Sequence, residues 1–406
     1  MVNLSFAQWA IETLLMYGLI LAALPWVTAL FSSPKEPGVK GPSWIPWLAG
    51  IAAGGALFPV VFHIFVQEAA SIEITGRVYA ALLQVQILLD GFLAFFLIVL
   101  KIWPKGGAVA QAAFREGIRQ PMFWLLSSLA SFALIVSPFV PYFTFGEDLI
   151  MVKELGYDTI MLAAVVFGTL AASMFVSEEI EGRTAVTLMS KPVSRRQFLL
   201  GKFLGIVVAA FLLASLLFCL FEGVLLYKHW LDRLDPVPQP EWLTSLLAGG
   251  SLPLEVKDLF RGIGFWCQHT IESLPGLVFS FCQVMVLVAI SVSLATRMPM
   301  VVNLSSVLVI YFLAHLTPVL VAIGEKGMAD NPDSPVSKLL SFTAQVFDTI
   351  LPGLEFFRVG PALVADAQLP LVPYLIYILS VAFYGMIYTS VALLFGLVLF
   401  EDRDLA

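Results

Sequence analysis

Residues able to do bond-making chemistry are few in this chain and far apart. The four histidines, His63, His229, His269 and His315, show no ligand spacing. Cys219, Cys267 and Cys282 are too scattered for a disulfide framework or a metal site. There is no HExxH pair, no GxSxG elbow and no GxxxxGKS/T phosphate loop. Around Gly201-Lys202, the place of the first phosphate-loop glycine is held by Arg196, and Phe203 follows the lysine. The expectation is a protein that is not itself an enzyme and carries no metal or cofactor. Two ionisable residues instead lie inside apolar runs: Asp90, close to Gln84 and Gln86, and His315, close to Pro318. At membrane depth such groups are functional candidates by default. Asp90 reads as a proton or cation site, or more plainly as a hydrogen-bonding group toward a neighbouring helix. His315 reads as a residue lining a pathway, or more plainly as a satisfied core histidine. Glu12 and Glu222 fall near the ends of long apolar runs, where reaching the interface is cheap.

The elements that must carry these groups are membrane spans. Of the 406 residues, 59% are hydrophobic and only 13% charged, against about 45–50% and about 25% in soluble domains. Mean hydropathy is +0.92. One globule cannot hide that much apolar surface, so lipid is the expected solvent. A net charge of −7 offers no field for nucleic acid. Nine stretches approach the roughly 20 apolar residues that a spanning helix needs: Phe6–Phe31, Trp47–Val66, Val78–Leu100, Phe123–Phe143, Thr159–Phe175, Phe203–Tyr227, Leu274–Leu294, Val301–Ala322 and Tyr374–Phe400. Runs such as LAFFLIVL do not alternate as barrel strands would. The fold class is therefore all-α, a polytopic bundle of about nine helices. The N-terminus lacks a basic n-region and a clear cleavage site, so its first run is expected to be a retained helix.

Orientation follows from the basic residues. With the C-terminus in the cytoplasm, 13 of the 22 lysines and arginines fall in short cytoplasmic segments, and the longer acidic loops lie outside. The N-terminus is then external, in a cytoplasmic (inner) membrane. Between the third and fourth spans, AVAQAAFREGIRQ puts Val109, Ala113, Phe114 and Ile118 on one stripe, away from Arg115 and Arg119. That predicts a short interfacial helix whose basic side meets anionic lipid, the alternative being a polar connector. Between the eighth and ninth spans, Phe342, Val346, Phe347, Ile350, Leu351 and Leu354 follow helical spacing until Pro352-Gly353. This helix either dips into the outer leaflet or packs on the span ends.

The most charged stretch lies between the fifth and sixth spans, on the cytoplasmic side: SEEIEGRTAVTLMSKPVSRRQFLLGKFLG, from Ser177. Glu178, Glu179 and Glu181 carry the fifth span into water. Gly182 permits a turn. Thr184 to Ser190 suits two helical turns, with Ala185, Leu188 and Met189 as a small apolar face. Pro192 stops that helix. Ser194 and Gln197 form a capping box for the next one. Lys191, Arg195, Arg196 and Lys202 flank the return to the bilayer. A short helix held crosswise between two spans, greasy on one side, suits a groove in a soluble partner. The plain alternative is a basic hairpin that only obeys the positive-inside rule.

This stretch resembles the cytoplasmic signature of the ABC type-2 (exporter-class) transporter permease family. The acidic residues, Gly182-Arg183-Thr184, Leu188-Met189, the turn from Ser190 to Arg196 and Leu200-Gly201-Lys202 carry the resemblance. FREGIRQPMFW is similar to the family's interfacial approach to its first core span, and LFEDRDLA to its usual ending, with Asp402 where a second basic residue is frequent. The family usually has more leucines where this chain reads TAVTLM. The resemblance divides the chain into a three-span N-terminal unit of unknown role, residues 1–105, and a six-span permease core, residues 106–406. It implies a permease subunit, an exporter by analogy, paired with a second copy or a related permease. A separate ATP-binding subunit would dock on Glu178, Glu179, Glu181, Gly182, Arg183, Thr184, Leu188, Met189, Lys191, Pro192, Arg195 and Arg196. Permease-like proteins of assembly or signalling, and transporters driven by an ion gradient, are the alternatives. The substrate is not legible.

Overall fold

The computed structural model describes residues 6–31, 50, 53–55, 57, 59–60, 69–140, 148–181, 194–231, 241–248, 253–330, 334–358 and 371–401. No strand occurs among them. The helices are α1 (Phe6–Phe31), α2 (Ala69–Ile102), α3 (Pro104–Arg119), α4 (Pro121–Val136), α5 (Asp148–Ala172), α6 (Arg195–Leu231), α7 (Glu241–Ala248), α8 (Leu254–Ala295), α9 (Met300–Asp330), α10 (Pro335–Ile350) and α11 (Leu371–Glu401). Beyond Ala172, α5 runs on through a π-helical turn, Ser173–Ser177, and a last turn, Glu178–Glu181. Among the described residues, eight helices are long and apolar enough to cross a bilayer. They coincide with eight of the nine expected spans. The remaining span, Trp47–Val66, falls largely outside the described residues. The chain is an all-α polytopic membrane protein.

Contacts divide the chain into two compact units. The first holds residues 1–98 and 233–273. Residues 233–273, which the sequence places after the sixth span, thus group with the N-terminal helices. Their attachment is a glycine crossing between α2 and the first half of α8. A Cβ at Gly76 would strike the carbonyl oxygen of Leu259, and one at Gly262 that of Glu73. Backbones approach this closely only where side chains are absent. Trp266 Nε1 then donates to Gln84 Oε1 at 2.6 Å, and the Arg77 guanidinium lies 4.4 Å from the Phe265 ring centroid.

The second unit holds residues 99–232 and 274–406. Its centre is α5, α6 and the second half of α8, whose apolar windows are mostly buried. Small residues set the spacing again. A Cβ on Gly168 of α5 would meet Val288 of α8, and one on Gly156 would meet the Phe221 ring of α6. α4, α9 and α11 lie around this centre with most of their surface exposed, as lipid-facing helices do. α9 and α10 form a hairpin in which Gly324 and Gly327 face Ser341 and Ser337. The break at Pro352-Gly353 is tied to α11: Tyr388 Oη donates to the Ile350 carbonyl at 2.7 Å, and Gly353 N donates to Tyr384 Oη at 2.9 Å. α10 thus packs against α9 and is tied at its end to α11.

Candidate functional site

The site is the junction where α5 leaves the bundle and α6 returns. Gly182, Arg183, Thr184, Leu188, Met189, Lys191 and Pro192 lie outside the described residues, as does the side chain of Glu181. Both ends of the segment are described. At its end the expected capping box is present. Gln197 N donates to Ser194 Oγ at 3.2 Å, and Ser194 N donates to Gln197 Oε1 at 3.1 Å. At its start Glu178 is exposed, Glu179 half-buried and Ile180 buried.

Lys202, one turn into α6 beyond Phe198, organises the inner side. Its ammonium is nearly inaccessible yet donates to Glu179 Oε1 at 2.6 Å and lies 3.7 Å from Glu116 Oε2. It also sits 5.5 Å from the Phe175 ring centroid and 5.9 Å from that of Phe198. One desolvated cation therefore joins α3, the tail of α5 and α6. Water competes weakly for such a charge, so its carboxylate partners hold it firmly.

The glycines of α6 bring Glu116 into range. Gly201 and Gly205 face α3 so closely that a Cβ on Gly205 would strike the Ala110 carbonyl oxygen, and one on Gly201 would stand 2.8 Å from the Gly106 carbonyl oxygen. The buried face of α3 is accordingly Gly106, Gly107, Ala110, Ala113 and Gly117. The expected amphipathic helix is present, but its packed stripe is this small-residue row. Val109, Phe114 and Ile118 are only half-buried, while Arg115 and Arg119 are exposed as expected. Size, not hydrophobicity, decides which side meets α6.

The opposite side of the α5 tail is held by an amide. Asn303 of α9 is fully buried, and its Nδ2 donates to Ser173 Oγ at 2.9 Å and Ser291 Oγ at 3.1 Å. Ser177 Oγ donates to the Met298 carbonyl at 3.0 Å. Both serines bound the π turn, where the widened helix places an extra residue before the tail. Asn303 sits in an apolar run, VVNLSSVL, and as a neutral amide carries no charge to mark it in the sequence.

The two arginines after Pro192 are partly committed elsewhere. Arg195 Nη1 donates to the carbonyls of Phe400 at 3.0 Å and Glu401 at 2.9 Å. Arg297 Nε donates to the Leu399 carbonyl at 2.9 Å. Arg196 pairs with Glu401 at 3.0 Å on an exposed surface. Together they cap the C-terminal end of α11, whose last carbonyls lack helical partners. Replacing Arg195 by Ala is expected to free those carbonyls and fray α11 from its end, costing about 1–2 kcal/mol. Faster hydrogen exchange confined to the last turns of α11 would register it.

The other sequence candidates lie apart from this junction. Glu222, near the end of its long apolar run, is fully buried inside the bundle. Glu12 is half-buried beside Gln8. Asp90 is half-buried, and its Oδ1 has no hydrogen-bond partner among the described residues; the expected link to a neighbouring helix is made by Gln84. His315 is exposed, not a core histidine, and its Nδ1 donates to the Tyr311 carbonyl at 2.9 Å. Among the described residues no three His, Cys, Asp or Glu side chains converge as a metal site.

The described ends of this junction are pinned to α3, α6, α8, α9 and the end of α11. Residues 107–405 match the family model described as "ABC-2 family transporter protein". Comparison with curated proteins finds no significant match.

Proposed function

We propose, from the premise that this chain belongs to the ABC-2 transporter family, that the segment from Glu178 to Arg196 is the docking element through which a separate ATP-binding subunit drives the permease. The observation that carries this reading is the double anchorage of that segment. Lys202 ties its start to α3 and α6, and Asn303 with Ser177 ties the same tail to α8 and α9. A push on the segment therefore moves five helices together.

Glu178, Gly182, Arg183, Thr184, Leu188, Met189, Lys191 and Pro192 would meet the ATPase. Glu179, Arg195 and Arg196 would act from the permease side, through Lys202 and the end of α11. In this reading the docking segment and the C-terminus are cytoplasmic, the N-terminus is external, and the chain sits in the inner membrane. It works as a homodimer or paired with a related permease, and it exports its substrate. Residues 106–406 form the working core.

The test is co-purification with an ATP-binding subunit. Shortening Leu188 and Met189 to Ala together is expected to reduce recovery of that subunit at least about tenfold, since two buried aliphatic truncations each cost about 1–3 kcal/mol at an interface. The spans should fold as before. Undiminished recovery would count against the docking assignment.

A further inference from the structure

The Asn303 amide is satisfied at one end only. Its Nδ2 uses both hydrogens, on Ser173 Oγ at 2.9 Å and Ser291 Oγ at 3.1 Å. Its Oδ1 is sealed from solvent and accepts from no group among the described residues. Thr169 Oγ1, one turn before Ser173 on α5, is sealed and unbonded in the same way. Ser173 stands between the two: its hydroxyl receives the amide hydrogen and donates its own to the Thr169 carbonyl at 3.0 Å. Ser291 Oγ accepts from the amide, and its own proton meets no acceptor among the described residues. Asn303, Thr169, Ser173 and Ser291 are all fully buried. One amide oxygen that needs a donor and two hydroxyl protons that need an acceptor thus gather where α5, α8 and α9 meet, at the start of the π turn Ser173–Ser177.

Burying such groups unmet forfeits the hydrogen bonds they make in water. What they lack defines their ligand, which must both donate and accept. A metal cation accepts no proton, and the four side chains include no carboxylate to offset its charge in a low-dielectric interior. Water carries two donors and two acceptor lone pairs, and buried waters usually make about three hydrogen bonds to groups of this kind. Exchanging the oxygen and nitrogen of the amide does not alter the choice. The unmet atom is then an N–H, which water satisfies and a cation does not.

We propose that Asn303, Thr169 and Ser291 bind one internal water molecule. The water donates to Asn303 Oδ1 and accepts from the hydroxyls of Thr169 and Ser291. It completes the hydrogen bonding of the node that ties the π turn of α5 to α8 and α9. The inference does not depend on the ATPase reading.

Thr169→Val in the full-length protein tests it by the sign of the effect on Tm. Valine keeps the branched shape and removes the hydroxyl. Where a water bonds that hydroxyl, the variant loses a hydrogen bond, and Tm should fall by about 2 °C, the shift one such bond makes in a unit of this size. Where the hydroxyl has no partner, its removal relieves an unmet group. An unchanged or raised Tm would therefore overturn the proposal. Two measurements on the parent decide the matter even if the variant does not fold. An electron cryomicroscopy map fine enough to show ordered water should hold a peak about 2.7–3.2 Å from the unmet amide atom of Asn303, and a map without that peak would sink the idea. Tm in equal concentrations of sodium, potassium and choline chloride should coincide. A rise specific to sodium or potassium would make the ligand a cation and end the water assignment.

Discussion

Lys202→Met is expected to destabilise the second unit by about 3–5 kcal/mol, the usual cost of removing one partner from a buried ion pair. The Lys202 side chain is 6% exposed and that of Glu179 22%, so water can compensate little for the lost cation. Glu116, 44% exposed, can turn to solvent. The damage therefore concentrates at Glu179. Methionine keeps the length and apolar stem of lysine, which isolates the charge from the packing against Phe175 and Phe198. The companion variant separates the causes. Lys202→Met combined with Glu179→Gln removes both charges and should recover all but about 1–2 kcal/mol, since apolar replacement of a whole buried pair is often close to neutral. Thermal unfolding of the purified protein, followed by tryptophan fluorescence, reads both. If Lys202→Met unfolds with the parent, the buried cation holds nothing together. If the double variant is stable but no longer couples ATP turnover to transport, the pair transmits force rather than merely supporting the fold.

Apolar run length was a sufficient signal for the spans, because in lipid every backbone group must be satisfied within its own helix. Eight of the expected runs are described as helices, and the capping box at Ser194 forms as its residue pattern predicts. What one sequence could not convey is which side of a helix faces which neighbour. In a membrane, hydrophobicity no longer separates buried from exposed positions, and small residues decide close packing instead. That is why α3 turns Gly106, Ala110, Ala113 and Gly117 inward rather than Val109, Phe114 and Ile118. It is also why His315 is exposed rather than a core histidine. The hub at Lys202 was hidden for a different reason. Glu116 and Glu179 reach it from separate elements, and no local spacing links them. Arg195 was visible as a charge, but its partners are backbone carbonyls of Phe400 and Glu401, which carry no side-chain signature.

Gly205→Leu is expected to separate α3 from α6. The native space does not admit even a Cβ, which would strike the Ala110 carbonyl oxygen and stand 2.7 Å from the Ala113 Cβ and 3.0 Å from the Phe114 backbone nitrogen. The obstacles are backbone atoms and a methyl group on the helix itself, so no rotamer change relieves them. The helix must move as a body, and overpacking of this kind costs about 1–3 kcal/mol or more. Movement of α3 also draws Glu116 away from Lys202, so the steric and electrostatic losses act together. Gly223 on the same helix is the matched control, because nothing lies within 4 Å of a Cβ there. Gly223→Leu should therefore leave stability close to that of the parent, or raise it slightly, since a helix-interior glycine costs about 0.8–1.0 kcal/mol relative to alanine. A cysteine pair at Val109 and Gly201 would report the geometry directly. A Cβ at Gly201 would lie 2.8 Å from the Val109 Cβ, closer than the usual 3.5–4.5 Å of a disulfide, so oxidation should cross-link α3 to α6 after a small shift in the parent background and fail once Gly205 is Leu. Equal cross-linking in both backgrounds would mean that α3 accommodates the larger side chain in place, and that the glycine row does not set the distance between the two helices.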